Sequence, residues 1–144
     1  MTRALRILVV DDDEIDRMLV GRALKRSGLS SALFEAEQGE QALHFLRNER
    51  EFQDREKAPR PDLILLDLNM PILNGMEMLE QIKADPGLQT IPVVVLTTSD
   101  DPRDIERSYR LGASGYLVKP VDFSAFAESI RVLCAYWQLC LRPG

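Results

Sequence analysis

The sequence contains few cysteines, one histidine and no long apolar run. The two cysteines, Cys134 and Cys140, are spaced so that they do not occupy adjacent positions on one helix face. We therefore predict free thiols, as in a reducing compartment, rather than a local disulfide. A membrane-spanning helix needs about 20 consecutive apolar residues, and no stretch approaches that length. The start of the chain also lacks a signal-peptide pattern. The sequence thus predicts a cytoplasmic protein without a membrane segment.

The sequence also lacks an excess of positive charge. The 18 lysines and arginines are outnumbered by 23 acidic residues, which gives a formal net charge of −5 and a pI of about 4.9. General nucleic-acid binding requires clustered Lys and Arg to neutralise phosphates. Here the basic residues are mixed with acids, a pattern typical of a solvated surface. We therefore predict that the protein does not bind nucleic acid.

Five short apolar runs alternate with helical patterns along the 144 residues. The runs are Leu5–Val10, Ala32–Ala36, Leu63–Leu66, Pro92–Leu96 and Gly115–Val118. Alternation of short buried strands with longer helices predicts a parallel sheet covered on both faces. Right-handed crossovers leave few topologies. We predict a doubly wound α/β fold with five strands, the flavodoxin-like (βα)5 arrangement in strand order 2-1-3-4-5, as one domain over residues 1–144.

The helices are bounded by recognisable end signals. Asp13 is well placed to cap the start of the first helix, and Gly28 to end it. The second helix begins near Gly39, and the charged segment 47–60 is predicted to extend it before becoming an exposed loop. The remaining helices are predicted over residues 75–84, 102–111 and 123–139.

Polar residues follow four of the five strands. The first strand ends in Asp11 and Asp12, the third in Asp67, the fourth in Thr97 and the fifth in Lys119. In the predicted order these strand ends meet at one edge of the sheet, where ligands bind. Three crowded carboxylates repel one another, so a cation is needed. A divalent ion such as Mg²⁺ suits oxygen ligands, and Lys119 adds a fixed positive charge.

This set of residues suits phosphoryl transfer. Taken alone, Asp67 could be a loop cap, a metal ligand, a general base or a nucleophile. Beside Mg²⁺, Lys119 and the Thr97 hydroxyl, its carboxylate could accept a phosphoryl group as an acyl phosphate. The added charge could then draw Thr97 and its loop inward, which would act as a switch.

Four motifs resemble the receiver domain of two-component response regulators. They are Leu8-Val9-Val10-Asp11-Asp12, Leu66-Asp67-Leu68-Asn69-Met70-Pro71 with Gly75, Val95-Leu96-Thr97, and Gly115-Tyr116-Leu117-Val118-Lys119-Pro120. The resemblance covers essentially the whole chain. It implies that Asp67 is the phosphoacceptor, that Thr97 and Lys119 contact the phosphoryl group, and that Thr97 and Tyr116 form the switch. It also implies three protein ligands for Mg²⁺ besides Asp11: Asp12, Asp67 and the backbone carbonyl of Asn69. A cis peptide is expected before Pro120.

The same resemblance suggests the partners. A sensor histidine kinase would supply the phosphoryl group, since His44 lies on a helix away from the strand ends. The chain resembles most closely the regulators of bacterial and cyanobacterial phytochrome kinases, so a bacteriophytochrome is one expected partner, together with an unknown downstream protein. No output domain is expected. The protein would be a switch with at most slow self-dephosphorylation and not an enzyme.

Two other functions stay open from the sequence. One is an adaptor that works without phosphorylation, although the intact acids, Thr97 and Lys119 disfavour it. The other is a phosphatase with an aspartyl-phosphate nucleophile. Such enzymes usually have a second aspartate two residues later, where this chain has Asn69.

The last helix is apolar on more than one face. Phe126, Ile130, Leu133 and Trp137 form one stripe. Further apolar residues lie outside it: Val132, Ala135, Tyr136, Leu139 and Leu141. A helix with two apolar faces usually buries both. We therefore predict a homodimer through the surface of the fourth helix, fifth strand and fifth helix; the alternative is a monomer whose tail folds back on itself.

Overall fold

A computed structural model of the chain describes residues 3–142 and forms one five-stranded sheet. Its strands are β1 (Leu5–Val10), β2 (Ser31–Ala36), β3 (Leu63–Leu66), β4 (Val93–Thr97) and β5 (Gly115–Val118). All neighbouring strands are parallel, in the order β2-β1-β3-β4-β5. The predicted fold class and strand order are therefore confirmed.

Helices cover both faces of the sheet. They are α1 (Glu14–Ser27), α2 (Gly39–Arg47), α3 (Gly75–Ala84), α4 (Pro102–Leu111) and α5 (Phe123–Leu139). Alternate residues of a strand point to opposite faces. Ile7 and Val9 of β1 accordingly pack with α1 and α5, whereas Leu8 and Val10 pack with α2 and α3. Burial on both faces explains why β3 consists of four aliphatic residues.

The helix ends follow the sequence signals. The Asp13 side chain accepts a hydrogen bond from the Ile15 amide at 2.9 Å. Gly28 closes α1 with a φ of 72°, a left-handed conformation that favours glycine. At α3, Asn74 and Glu77 form a capping box in which each side chain bonds the other's backbone amide.

The segment after α2 differs from the sequence prediction. The helix is not extended, because Asn48 takes a left-handed conformation with a φ of 55° and ends it. A short 3₁₀ helix, Arg50–Phe52, follows. The Asn48 side-chain amide donates to the carbonyls of Phe52 at 3.1 Å and Ala58 at 2.8 Å. The Phe52 ring packs edge-on against Phe45. The segment is therefore folded onto the domain.

The remaining sequence expectations concern cysteines and membranes. Both Cys134 and Cys140 are free thiols, and burial raises the pKa of the Cys134 thiol to about 12. Among residues 3–142, none of the helices combines the length and the apolar character required to cross a bilayer.

Candidate functional site

The carboxyl edge of the central strands brings the predicted acids together. The Asp67 amide donates to the Val10 carbonyl at 3.0 Å, which fixes the end of β3 beside the end of β1. Asp11 and Asp67 are buried, with 3% and 7% of their surface exposed. Burial of two carboxylates costs free energy unless a positive charge accompanies them.

Asp12 completes a three-acid cluster. One carboxylate oxygen from each of Asp11, Asp12 and Asp67 lies within 4.8 Å of the others. Asp12 is exposed, so the cluster opens to solvent on that side. Several carboxylate oxygens beside open solvent match the preference of a hard divalent cation, which takes protein carboxylates together with water. The residues present therefore fit a divalent cation.

Lys119 is the positive group at this site. Its Nζ lies 2.7 Å from Asp11 Oδ2, 2.8 Å from Asp16 Oδ2 and 3.4 Å from Asp67 Oδ2. Burial opposes the charged ammonium, but the hydrogen bonds to Asp11 and Asp16 and the charge of Asp67 outweigh it, so the pKa of Lys119 is raised. The lysine is therefore firmly protonated and balances part of the acidic charge.

For Asp11, burial dominates the shift in pKa. Its burial raises the pKa of its carboxyl, and the nearby charge of Asp67 adds to the effect. The hydrogen bonds from Lys119 and from the Asp13 amide offset this rise only in part. Negative charge at this position is costly without a further cation.

The residues after β3 and β4 supply hydrogen-bonding groups. Thr97 is fully buried, and its hydroxyl oxygen lies 3.4 Å from the Asn69 amide nitrogen and 3.5 Å from the Ser99 backbone nitrogen. The Asn69 backbone amide donates to Asp67 Oδ1 at 3.2 Å. The Lys119 amide donates to the Thr97 carbonyl at 2.8 Å, which joins β5 to the same site.

Tyr116 lies next to this group of residues. Its hydroxyl donates to the Ser99 carbonyl at 2.8 Å, so the ring bridges β5 and the loop after β4. Burial raises the pKa of the phenol, and the charges of Asp104 and Asp101 add to the rise. The position links the loop after Thr97 to β5.

Gly75 permits the close approach of α3 to the end of β3. A Cβ atom added there would lie 2.1 Å from the Asp67 carbonyl oxygen and 2.6 Å from the Leu68 Cα. The Gly75 amide donates to the Leu68 carbonyl at 3.1 Å. Only glycine fits between α3 and the segment that holds Asp67.

Two residues at the site were missed or misassigned from the sequence. Asp16 is not among the site residues predicted from the sequence, yet its carboxylate binds Lys119. Arg17 was not considered, although its guanidinium is buried, donates to the Asp11 carbonyl at 2.7 Å and approaches Glu35 at 3.2 Å. The sequence shows that these residues are charged. It does not show which face of α1 lies against the carboxyl ends of the strands.

The expected cis peptide before Pro120 is wrong. Every peptide bond among residues 3–142 is trans. The trans form of a bond before proline is lower in free energy by about 0.5–1 kcal/mol. Lys119 reaches its carboxylates from this trans arrangement.

Comparison with known proteins identifies the family. The response regulator receiver domain family matches residues 7–131. The response regulator Rcp1 of Synechocystis sp. is 40% identical over 91% of this chain and 87% of its own length. The crystal structure of the phosphorylated cyanobacterial phytochrome response regulator RcpA superposes with a TM-score of 0.90 at 36% identity, covering 99% of this chain and all of that one. The Mn²⁺-bound form of Rcp1 gives 0.87 at 38% identity, with 97% of this chain and 99% of that chain covered.

The chain belongs to the response regulator receiver family. It is a receiver of two-component signalling, and it is related to the phytochrome response regulators.

Proposed function

We propose that Asp67 accepts a phosphoryl group from the histidine of a sensor kinase. The observation that carries the proposal is the position of Lys119 Nζ, which lies between Asp67 and Asp11 and contacts both carboxylates. In the reaction, an Asp67 carboxylate oxygen attacks phosphorus, an O–P bond forms and the P–N bond to histidine breaks. The histidine keeps the electron pair of that bond, and the aspartyl phosphate is the product.

Asp11, Asp12, Asp67 and the Asn69 carbonyl would hold a divalent cation, and we propose Mg²⁺. Bound there, the ion would neutralise charge on the phosphoryl oxygens. The other contributions come from residues of the chain itself. Lys119 can bind a phosphoryl oxygen, and Arg17 holds the Asp11 backbone in place. The Mn²⁺-bound form of Rcp1 supports a divalent cation in a related protein.

Thr97 and Tyr116 form the switch in this proposal. Thr97 Oγ1 makes only long contacts, at 3.4 and 3.5 Å, so it can turn towards a phosphoryl oxygen at little cost. The loop after β4 would follow, and this loop holds the Ser99 carbonyl that Tyr116 binds. A downstream protein would read the altered surface of α4 and β5.

We further propose a phytochrome-type histidine kinase as the donor and a single receiver domain over residues 1–144. The phytochrome response regulators RcpA and Rcp1 support the first point. One continuous sheet across residues 3–142 supports the second. Two free cysteines are consistent with a cytoplasmic location.

We also propose a homodimer through the surface of α4, β5 and α5. One face of α5 is buried against the sheet through Phe126, Ile130 and Cys134. A second set of large apolar side chains on this surface is exposed: Tyr109, Val118, Val132, Tyr136 and Leu139. Exposed apolar surface of this kind marks interaction sites.

The phosphoryl transfer is tested by incubation with acetyl phosphate and Mg²⁺ followed by intact mass measurement. We expect one added phosphoryl group, absent without Mg²⁺ and absent in Asp67→Asn. Asp54→Asn, which alters an exposed aspartate outside the three-acid cluster, should be phosphorylated like the parent protein.

Other outcomes would reject the proposal. An adduct that persists in Asp67→Asn would place the acceptor elsewhere. If no adduct forms and no stable beryllofluoride complex can be detected, the adaptor function becomes the better account. Continuous turnover of simple phosphate esters would favour the phosphatase.

A further inference from the structure

A second concave site lies at the amino ends of the central strands, opposite the carboxyl ends that hold Asp67. It is an open groove of about 730 Å³ between the segment after α2 and the turn that follows α3. Four arginines and two acids line it: Arg6, Arg47, Arg55, Arg60, Glu56 and Asp85. The lining therefore carries an excess of positive charge on a chain whose formal net charge is −5.

One of the four arginines pairs with an acid of the groove, and the other three do not. Arg47 pairs with Asp85 at 3.4 Å. Arg60 donates instead to the Gly87 carbonyl at 2.6 Å and the Thr90 hydroxyl at 2.9 Å. Within residues 3–142, Arg6, Arg55 and Arg60 form no ion pair with an acid. The groove thus holds guanidinium groups with unused donors, since each has five N–H bonds.

Arg6 is placed where an apolar residue would be expected. It alternates with Leu8 and Val10 on β1, so it faces the layer of α2 and α3 that packs on this side of the sheet. It is half-buried, and the buried side chains Leu46 and Leu88 line the groove beside it. A partly desolvated cation without an acid partner is unfavourable unless an anion joins it.

The walls of the groove are held in place by specific contacts. On one side, the Asn48 side chain binds the carbonyls of Phe52 and Ala58 and fixes the segment that carries Arg55. On the other side, Asp85 Oδ1 accepts from the Gly87 amide at 2.8 Å and shapes the turn. The groove is therefore preformed, and its volume falls within the range of about 300–1,000 Å³ that is typical of small-molecule sites.

We infer that this groove binds a small organic phosphate with two or more phosphoryl groups, such as a nucleoside diphosphate. Arginine forks bind phosphoryl oxygens in a bidentate manner and stack on planar rings. Leu46, Leu88 and Pro59 provide apolar surface for such a ring. The site needs neither Asp67 nor a divalent cation, because it lies at the amino ends of β1 and β3.

The test is a calorimetric titration of the whole chain with ADP in EDTA at an ionic strength of about 0.15 M. We expect saturable binding to one site. Arg55→Gln and Arg6→Gln should each weaken binding about tenfold, the effect of one lost charged hydrogen bond. Arg107→Gln, a matched change on an exposed face of α4, should leave the affinity unchanged. Arg55 is exposed, so its variant remains informative if Arg6→Gln does not fold.

A second measurement locates the site and its ligand class. In ¹⁵N-correlated NMR spectra, ADP should shift the Gly87 amide and the Asn48 side-chain amide. Pyrophosphate should bind about tenfold more weakly than ADP, since it has no ring to contact the apolar surface. Absence of saturable binding, equal weakening by Arg107→Gln, or shifts confined to residues around Asp67 would overturn the inference. Equal affinities for pyrophosphate and ADP would overturn the inference that the ligand is an organic phosphate.

Discussion

Single residues decide the geometry of the site in two different ways. Lys119 does so by charge, because its ammonium contacts carboxylates from three separate parts of the chain. Gly75 does so by the absence of a side chain, because α3 lies against the Asp67 carbonyl. The first kind of contribution can be replaced in part by another cation, whereas the second has no substitute.

Gly75→Ala should therefore destabilise the fold by about 3 kcal/mol, because the new methyl group overlaps backbone atoms that cannot move aside cheaply. Gly21→Ala is the matched control. A Cβ at Gly21 would meet only Leu33 Cδ2 at 3.5 Å, and alanine is favoured in the interior of α1. Urea unfolding of both variants should show a loss for the first and a gain of up to about 1 kcal/mol for the second. Equal effects would show that the close contact at Gly75 is not the cause.

At the residue scale, the sequence was sufficient for side chains that directly follow a strand. Asp11, Asp12, Asp67, Thr97 and Lys119 could be predicted to converge because a parallel sheet aligns the ends of its strands. Asp16 and Arg17 could not be placed in the same way. Their contribution depends on how α1 is rotated about its axis and on how far each side chain reaches, and neither follows from helical periodicity.

At the scale of elements, the two ends of the described chain meet at one buried carboxylate. Asp62 precedes β3, and its carboxylate is bound by the Arg3 guanidinium at 2.6 and 2.8 Å and by the Arg6 amide at 2.9 Å. Arg142, after α5, approaches the same group at 3.6 Å. This cluster fastens the segments before β1 and after α5 to the start of β3.

The cluster should make stability depend on pH. Burial acts to raise the pKa of Asp62, but the hydrogen bonds from Arg3 and the Arg6 amide outweigh it, so the pKa lies below the usual value. A carboxyl with a lowered folded pKa stabilises the fold above its unfolded pKa of about 3.9, and this contribution is lost as the pH falls through the folded pKa. Asp62→Asn should cost about 2 kcal/mol at neutral pH, and the difference from the parent should shrink below pH of about 4.

Chemical unfolding at several pH values measures that difference. Asp100→Asn, which alters an exposed aspartate, is the control and should stay within about 0.5 kcal/mol of the parent at each pH. A cost for Asp62→Asn that does not change with pH would mean that packing, not charge, accounts for it.

Helices and strands could be predicted from the sequence where neighbouring residues alone determine their ends. The bounds of β1, β3, β5, α3, α4 and α5 follow from apolar runs and caps, and they agree with the structure. The segment after α2 was predicted incorrectly because its charged composition contains no periodic signal. Its fold depends on one left-handed residue, Asn48, and on that side chain's bonds to carbonyls up to ten residues away.

At the scale of the whole molecule, the exposed apolar surface of α4, β5 and α5 predicts self-association. Val132→Glu places a charge on an exposed position of α5 and should raise the dimer dissociation constant at least about tenfold while the fold is kept. Ile15→Glu, at an exposed aliphatic position on α1, should have no such effect. Sedimentation velocity at micromolar concentrations, with and without beryllofluoride, compares them. A parent protein that remains monomeric in both conditions would rule out the dimer.

The contacts of Lys119 also set the order in which the protein can become functional during synthesis. A chain emerges from the ribosome amino terminus first, and Lys119 follows Asp11, Asp16 and Asp67 by 108, 103 and 52 residues. Until Lys119 has been synthesised, the nascent domain contains these carboxylates without their ammonium partner. The site is therefore completed only when β5 pairs with β4, so a nascent chain halted before residue 119 already contains Asp67 but lacks its lysine partner.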